Sequence, residues 1–195
     1  MSRVYLDTNI LVDFARGRPG PHLDRIQALM QNFVDRVDTA IITSFVVAEL
    51  RTAIRKELLV RASRALTPGQ TLSPQNKAQA LSEADALFND LIERLLRSRR
   101  IVQLRDPTHS STFTLQKALD IIEHHPGEAN VLDHCRICGN EPYPYVDYRY
   151  LSAADALHVS CAIALNCEIF ATSERSFRDL NGAADAGSLD FNVID

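Results

Sequence analysis

An α/β fold, with a parallel sheet flanked by helices, is what this 195-residue sequence predicts, and three observations predict it. Short apolar runs with β-type composition stand at Val4–Leu6 and Ala40–Thr43, and Glu168–Thr172 repeats the pattern near the C-terminus. The first two are each followed by apolar residues at helical spacing. Parallel strands need a crossover between them, usually a helix, so strand–helix alternation reads as a parallel sheet covered on both faces. The third observation is chemical. The first strand ends abruptly on Asp7, Thr8 and Asn9, and ligands in open α/β sheets bind at the carboxyl ends of the strands.

The elements follow in order. After the strand at 40–43, apolar residues at Phe45, Val46, Leu50, Ile54, Leu58 and Leu59 fit one amphipathic helix running to about Ala65, ended by Pro68-Gly69. Pro74 opens a second helix, with Ala80, Ala84, Leu87, Phe88, Leu91, Ile92 and Leu95 at three- and four-residue spacing. The two helices are expected to form a projecting arm, its added part spanning about 67–100, with more apolar side chains than an isolated pair can bury. Ile101–Leu104 reads as a strand and Leu115–His124 as a helix. Pro126–Tyr150 reads as a long irregular insertion carrying Cys135-Arg136-Ile137-Cys138-Gly139.

Length fits one domain, residues 1–195, carrying these insertions. No apolar run approaches the ~18 residues that span a bilayer, and the first strand starts too early for a secretory signal to precede it. A soluble, cytoplasmic protein with no membrane partner and reduced cysteines is therefore expected. A net charge of -4 argues against unspecific adhesion to nucleic acid, although local basic patches can still guide RNA.

Four acids stand in apolar settings: Asp7, Glu49, Asp155 and Glu174. Each has a structural explanation of differing strength. Asp7-Thr8-Asn9 is made of helix-capping residue types, and Ser152 with Asp155 three positions later resembles a capping box. Glu174, beside Arg175, could be a solvated turn residue. Glu49 is harder to explain, because its neighbours one turn away are Phe45, Val46, Thr52 and Ala53, and an unpaired buried carboxylate costs several kcal/mol. The conjunction decides. Three of the acids lie at or just beyond strand ends and the fourth about a turn into a helix that follows one. Carboxylates gathered there without lysines repel each other. A hard divalent cation resolves that repulsion, and all-oxygen ligation points to Mg²⁺ or Mn²⁺.

At these residues the chain resembles the PIN-domain family, the metal-dependent ribonuclease fold that includes VapC-type toxins of toxin–antitoxin pairs. The matching pieces are Tyr5–Asp13, Ser44–Leu50, Ala154–His158 and Phe170–Phe177. The resemblance implies a PIN-like parallel sheet, with Asp7, Glu49 and Asp155 as catalytic metal ligands and Glu174 in a fourth position where the family usually has aspartate. It also implies that Asn9 and Thr172 or Ser173 orient those carboxylates by hydrogen bonds, and that RNA is cut to a 5′-phosphate and a 3′-hydroxyl. An antitoxin is the implied protein partner, and the surplus apolar side chains of the arm, from about Phe45 to Arg100, are expected to receive either a second copy of the chain or an antitoxin segment. The helical arm and the Cys-containing loop exceed the compact family pattern.

Rival readings are an aspartate-nucleophile phosphatase, which needs a second acid where this chain has Asn9, and a PIN-fold RNA-binding or regulatory module without catalysis. His158, one turn after Asp155, reads as a neutral core histidine or as a hydrogen-bond partner of that carboxylate. Arg51, Arg55, Lys56, Arg94, Arg97, Arg99 and Arg100 are candidates to track an RNA backbone. Cys135 and Cys138 either form half of a zinc site, completed by His124, His125 or His134 or by Cys161 and Cys167, or remain two unligated thiols, since a full tetrahedral set is not evident.

Overall fold

The computed structural model describes residues 2–17, 20–35, 37–67, 70–97, 102–107, 116–121, 129–132, 145–148, 152–183 and 186–194. Strand β1 (Arg3–Leu6) leads into α1 (Thr8–Arg16) and α2 (Pro21–Val34); β2 (Thr39–Ile42) leads into α3 (Ser44–Arg64) and α4 (Pro74–Arg97). Then come β3 (Val102–Leu104), the short helix α5 (116–121), β4 (Ala129–Leu132), β5 (Tyr145–Tyr148), α6 (Ala153–Ala164), β6 (Ile169–Thr172), a 3₁₀ helix (Arg175–Leu180) and β7 (Asp190–Val193).

Five strands form one parallel sheet in the order β3-β2-β1-β6-β7. The central strand β1 is paired on both sides, with Val4 opposite Ala40 and Ile169. Its side chains Val4, Tyr5 and Leu6 are all buried, which is why the sequence there is continuously apolar rather than alternating. Tyr5 stacks on Phe170 of β6 at 5.3 Å between centroids, and Phe170 meets Phe177 at 5.0 Å and Phe191 of β7 at 5.4 Å. Truncating a fully buried aromatic such as Phe170 to alanine typically costs about 3–5 kcal/mol.

The parallel sheet with flanking helices agrees with the sequence reading, and the differences from it are local. The expected arm does not project as a free pair. Arg55 and Arg51 of α3 both reach Asp85 of α4, and Ala84, Leu91 and Leu95 are buried in the same apolar cluster as the sheet. Phe88 and Leu87 pack against that cluster too, so the expected surplus of apolar positions is largely absorbed by the core. The segment 126–150, read as irregular, contains an antiparallel ribbon pairing Ala129 with Tyr148 and Leu132 with Tyr145. Cys135, Cys138, His124, His125, His134, Arg99 and Arg100 lie outside the described residues. Among the described residues, no helix is long and apolar enough to cross a membrane.

Candidate active site at the carboxyl edge of the sheet

Where β1 ends, Asp7 occupies the N-cap position of α1 with extended backbone angles, yet its side chain makes no capping hydrogen bond. The carboxylate is only 2% exposed, and it is held from elsewhere. Thr172, at the end of the neighbouring strand β6, donates its hydroxyl to Asp7 Oδ2 at 2.6 Å, and Asn9 Nδ2 donates to the same oxygen at 3.3 Å. The capping explanation therefore does not account for this acid. Burial raises the Asp7 pKa; His158 and the Thr172 hydroxyl counter that rise, and the like charge of Asp155 adds to it.

Asp155 has the opposite arrangement, because its capping explanation holds in full. Ser152 Oγ accepts from the Asp155 backbone N–H at 3.1 Å, and Asp155 Oδ2 accepts from the Ser152 N–H at 2.9 Å. This reciprocal pair starts α6. The same carboxylate also lines the cleft above Asp7, so capping and site are not alternatives for this residue.

Glu49 sits about one and a half turns into α3, with its side chain 30% exposed. Its partners come from other elements, invisible in the spacing of its own helix: Thr8 donates its hydroxyl to Glu49 Oε2 at 2.8 Å, and His158 Nε2 lies 2.6 Å from the same oxygen. Burial pulls the Glu49 pKa up, but the hydrogen bonds from His158 and Thr8 outweigh it and hold the group below its ordinary value.

His158 is 1% exposed and belongs to a chain of buried polar groups. The Val46 N–H donates to Thr43 Oγ1, the Thr43 and Tyr5 hydroxyls lie 3.1 Å apart, and Tyr5 Oη lies 2.9 Å from His158 Nδ1. Only one assignment of protons satisfies every member when Glu49 is ionised and the imidazole neutral: Thr43 donates to Tyr5, Tyr5 to Nδ1, and Nε2–H to Glu49. Burial pushes the Tyr5 hydroxyl well above its ordinary pKa, keeping it a donor. The expected core histidine and the expected carboxylate partner are thus one residue, although the carboxylate is Glu49 rather than Asp155. His158 Nε2 also lies 3.9 Å from Asp7 Oδ1.

Asp7, Glu49 and Asp155, with Thr8, Asn9, Thr52, Ser152 and His158, line one cleft of about 450 Å³, and among the described residues that line it there is no lysine or arginine. Among the described residues lining a larger hollow of about 600 Å³ between α4 and β3, Glu93 is the single acid, so the acidic chemistry belongs to the smaller one. Glu174 stands outside the lining of the cleft: β6 ends at Thr172, and Glu174 becomes the exposed N-cap residue of the 3₁₀ helix, its N–H bonded to Thr172 Oγ1. Ser173, next to Thr172 and so directed to the other side of the extended chain, donates to Asp13 at 3.0 Å rather than to a cleft acid.

The donor set is all oxygen and suits a hard cation. The oxygens are not yet gathered on one point, however: among the described residues no three Asp, Glu, His or Cys side chains converge closely enough to hold an ion. Asp155 commits Oδ2 to the Ser152 backbone and Glu49 commits Oε2 to Thr8 and His158. The cysteines of the core take no part: Cys161 and Cys167 are buried free thiols, and desolvation pushes them up to about 11 and about 12.

A family model described as the PIN domain matches residues 4–183. Searches of curated proteins and of solved structures each returned no match. The match covers all the strands of the parallel sheet but the last and every residue of the cleft, and on that ground the chain belongs to the PIN-domain family, whose members are generally metal-dependent nucleases.

Proposed function

We propose that the protein is a single PIN-type domain acting in the cytoplasm as a Mg²⁺- or Mn²⁺-dependent endoribonuclease. In the manner of the VapC-type toxins it resembles, it would be the toxin of a toxin–antitoxin pair, with an antitoxin and a second copy of the chain as partners. One observation carries the catalytic part of this reading: Asp7, Glu49 and Asp155, from three distant stretches of chain, line one cleft with no lysine or arginine among its described residues. Such a cleft repels a phosphodiester until a cation enters it.

Asp7, Glu49 and Asp155 would hold the ion, and a bound divalent ion supplies charge neutralisation at the phosphate and a more acidic water. The chain's own groups do the rest. Thr172 and Asn9 fix the Asp7 carboxylate. His158 and Thr8 keep Glu49 ionised and aimed, and the Ser152 backbone orients Asp155. The reading does not require Glu174 as a fourth ligand. The phosphatase alternative is disfavoured at Asn9, which donates to Asp7 and provides no second acid.

The test is incubation of single-stranded RNA with the protein in Mg²⁺, in Mn²⁺ and in excess chelator, repeated with Asp7→Asn and Asp155→Asn. Cleavage in the metals alone, lost in both variants, is the expected result. Full activity in chelator, or unimpaired cleavage by both variants, would falsify the assignment.

A further inference from the structure

The acidic cleft continues into a basic groove. Ala53 of α3 lines both, and beyond it Lys56, Arg61 and Arg64 of α3 face Arg16 at the end of α1 across a groove of about 500 Å³. Among its described lining residues the one acid is Glu57, which accepts from Arg16 Nε at 2.7 Å. Arg16 is matched by Asp13 as well as by Glu57, so Lys56, Arg61 and Arg64 are the cations that leave the described lining net positive, in a chain whose net charge is -4.

Most basic groups nearby are already neutralised. Arg55 and Arg51 pair with Asp85, Arg94 with Asp90 and Arg97 with Glu93. Arg61 comes no closer than 3.8 Å to Glu57 and is 70% exposed, and among the described residues Lys56 and Arg64 have no ion-pair partner. Cations in the last turn of a helix are favoured by the helix dipole, which would account for Arg61 and Arg64 alone. Lys56 lies two turns earlier, where that explanation fails.

The spacing is directional. Glu49, Ala53, Lys56, Val60 and Arg64 follow one another at four, three, four and four residues, a single stripe along α3. At 1.5 Å per residue, Lys56 stands about 10 Å and Arg64 about 22 Å along the helix from Glu49. We infer that this stripe, with Arg61 beside it in the groove, binds the phosphodiester backbone of a single nucleic-acid strand and leads it into the acidic cleft. Cations in one line match one backbone, whereas a duplex presents two. The inference rests on the nuclease reading for the direction of the strand, but not for its binding chemistry.

The experiment uses full-length protein carrying Asp7→Asn and a labelled single strand of about twelve nucleotides, as RNA and as DNA, with binding read by fluorescence anisotropy between about 50 and 200 mM salt. Adding Lys56→Gln, Arg61→Gln and Arg64→Gln is expected to weaken binding at least about tenfold and to reduce the slope of log affinity against log salt by about 2, near 0.7 per lost phosphate contact. Arg94→Gln with Arg97→Gln should change neither quantity. If the triple variant does not fold, Lys56→Gln alone should reduce the slope by about 0.7. Binding of RNA and DNA alike, or of RNA alone, supports the groove if the slope falls in the variant. An unchanged slope and affinity, or no binding by the parent at low salt, overturns it. The nuclease reading is judged separately: binding through the groove with no cleavage by the unmodified chain leaves the groove standing and removes the nuclease, and the reverse pattern does the opposite.

Discussion

At the seam of α3 and α4, Asp85 accepts from Arg55 at 2.9 and 2.7 Å and from Arg51 at 3.2 Å, and these partners hold its carboxyl down at about 2. At the end of β1, Asp7 is buried with two neutral donors, and burial drives its pKa upward. The same side chain is balanced by the protein's own cations in one place and left without them in the other. Asp85 completes a helix–helix contact and asks for nothing more. Asp7 has a charge the fold does not balance, and that imbalance distinguishes a binding site from a brace.

The largest effect expected from this contrast is on cleavage. Asp7→Asn should reduce RNA cleavage by about a thousandfold or more, since losing several kcal/mol of charge stabilisation costs tenfold per ~1.4 kcal/mol. Asp85→Asn should leave the rate within about twofold, because surface changes of this kind act weakly. Comparable losses in initial-rate assays of the two variants would erase the distinction.

Next in size is the thermal response to metal. At a hundredfold excess over its dissociation constant, a ligand of the native state stabilises by about 2.7 kcal/mol, or roughly 5–10 °C in a chain of this size. Calorimetry should show that upward shift with Mg²⁺ or Mn²⁺ in the parent and in Asp85→Asn, and a much smaller one in Asp7→Asn. Equal shifts in all three would place Asp7 outside the site.

A third comparison sets His158 against Arg55, the two groups that steady a carboxylate of α3 or α4. His158→Leu removes a buried donor from Glu49 and a buried acceptor from Tyr5, and should cost about 1–3 kcal/mol in denaturant unfolding. Arg55→Leu should cost less, since its pair is exposed and screened. A greater loss from Arg55 would mean that the surface clamp, not the buried chain, holds the helices in place.

The smallest effect is the pH profile, where the two aspartates differ in sign. Asp85 has a depressed pKa in the folded state, so its contribution is present above its ordinary value and is lost as pH falls toward about 2. Asp7 has a raised one, so its contribution is present in acid and is lost as pH rises through the raised value. Melting temperatures of chelated protein across acid to neutral pH should lose the second decline in Asp7→Asn and the first in Asp85→Asn. A parent and Asp7→Asn that decline alike with rising pH would contradict the raised pKa.

The sheet was legible wherever burial leaves a local signature. A central parallel strand is covered on both faces, and Val4-Tyr5-Leu6 and Ala40-Ile41-Ile42 advertise that directly. β7 was not read, because Asp190-Phe191-Asn192-Val193 buries chiefly Phe191 and owes its form to pairing with β6. In the cleft, Asp7 and Glu49 were recoverable from their positions relative to strand ends, whereas Asp155, at the start of α6 and behind no described strand of the parallel sheet, was recoverable only through the family resemblance. Of their partners, Thr172, 165 positions from Asp7, entered only through the family resemblance, and the pairing of His158 with Glu49, 109 positions away, was not read at all. The arginines misled for the same reason. Arg51 and Arg55 read as free cations on a helix face until α4 brings Asp85 beside them.

The distance between Asp7 and Thr172 along the chain also has a consequence for biosynthesis. The hydroxyl that fixes the Asp7 carboxylate is made 165 residues after Asp7 itself. At about 5–20 residues per second, a ribosome needs roughly 8–33 s to bridge that interval. Throughout it, the nascent chain carries Asp7 without the strand that positions it and, for most of the time, without Asp155. A growing polypeptide tethered to messenger RNA thus lacks the assembled cleft until α6 and β6 have emerged and docked.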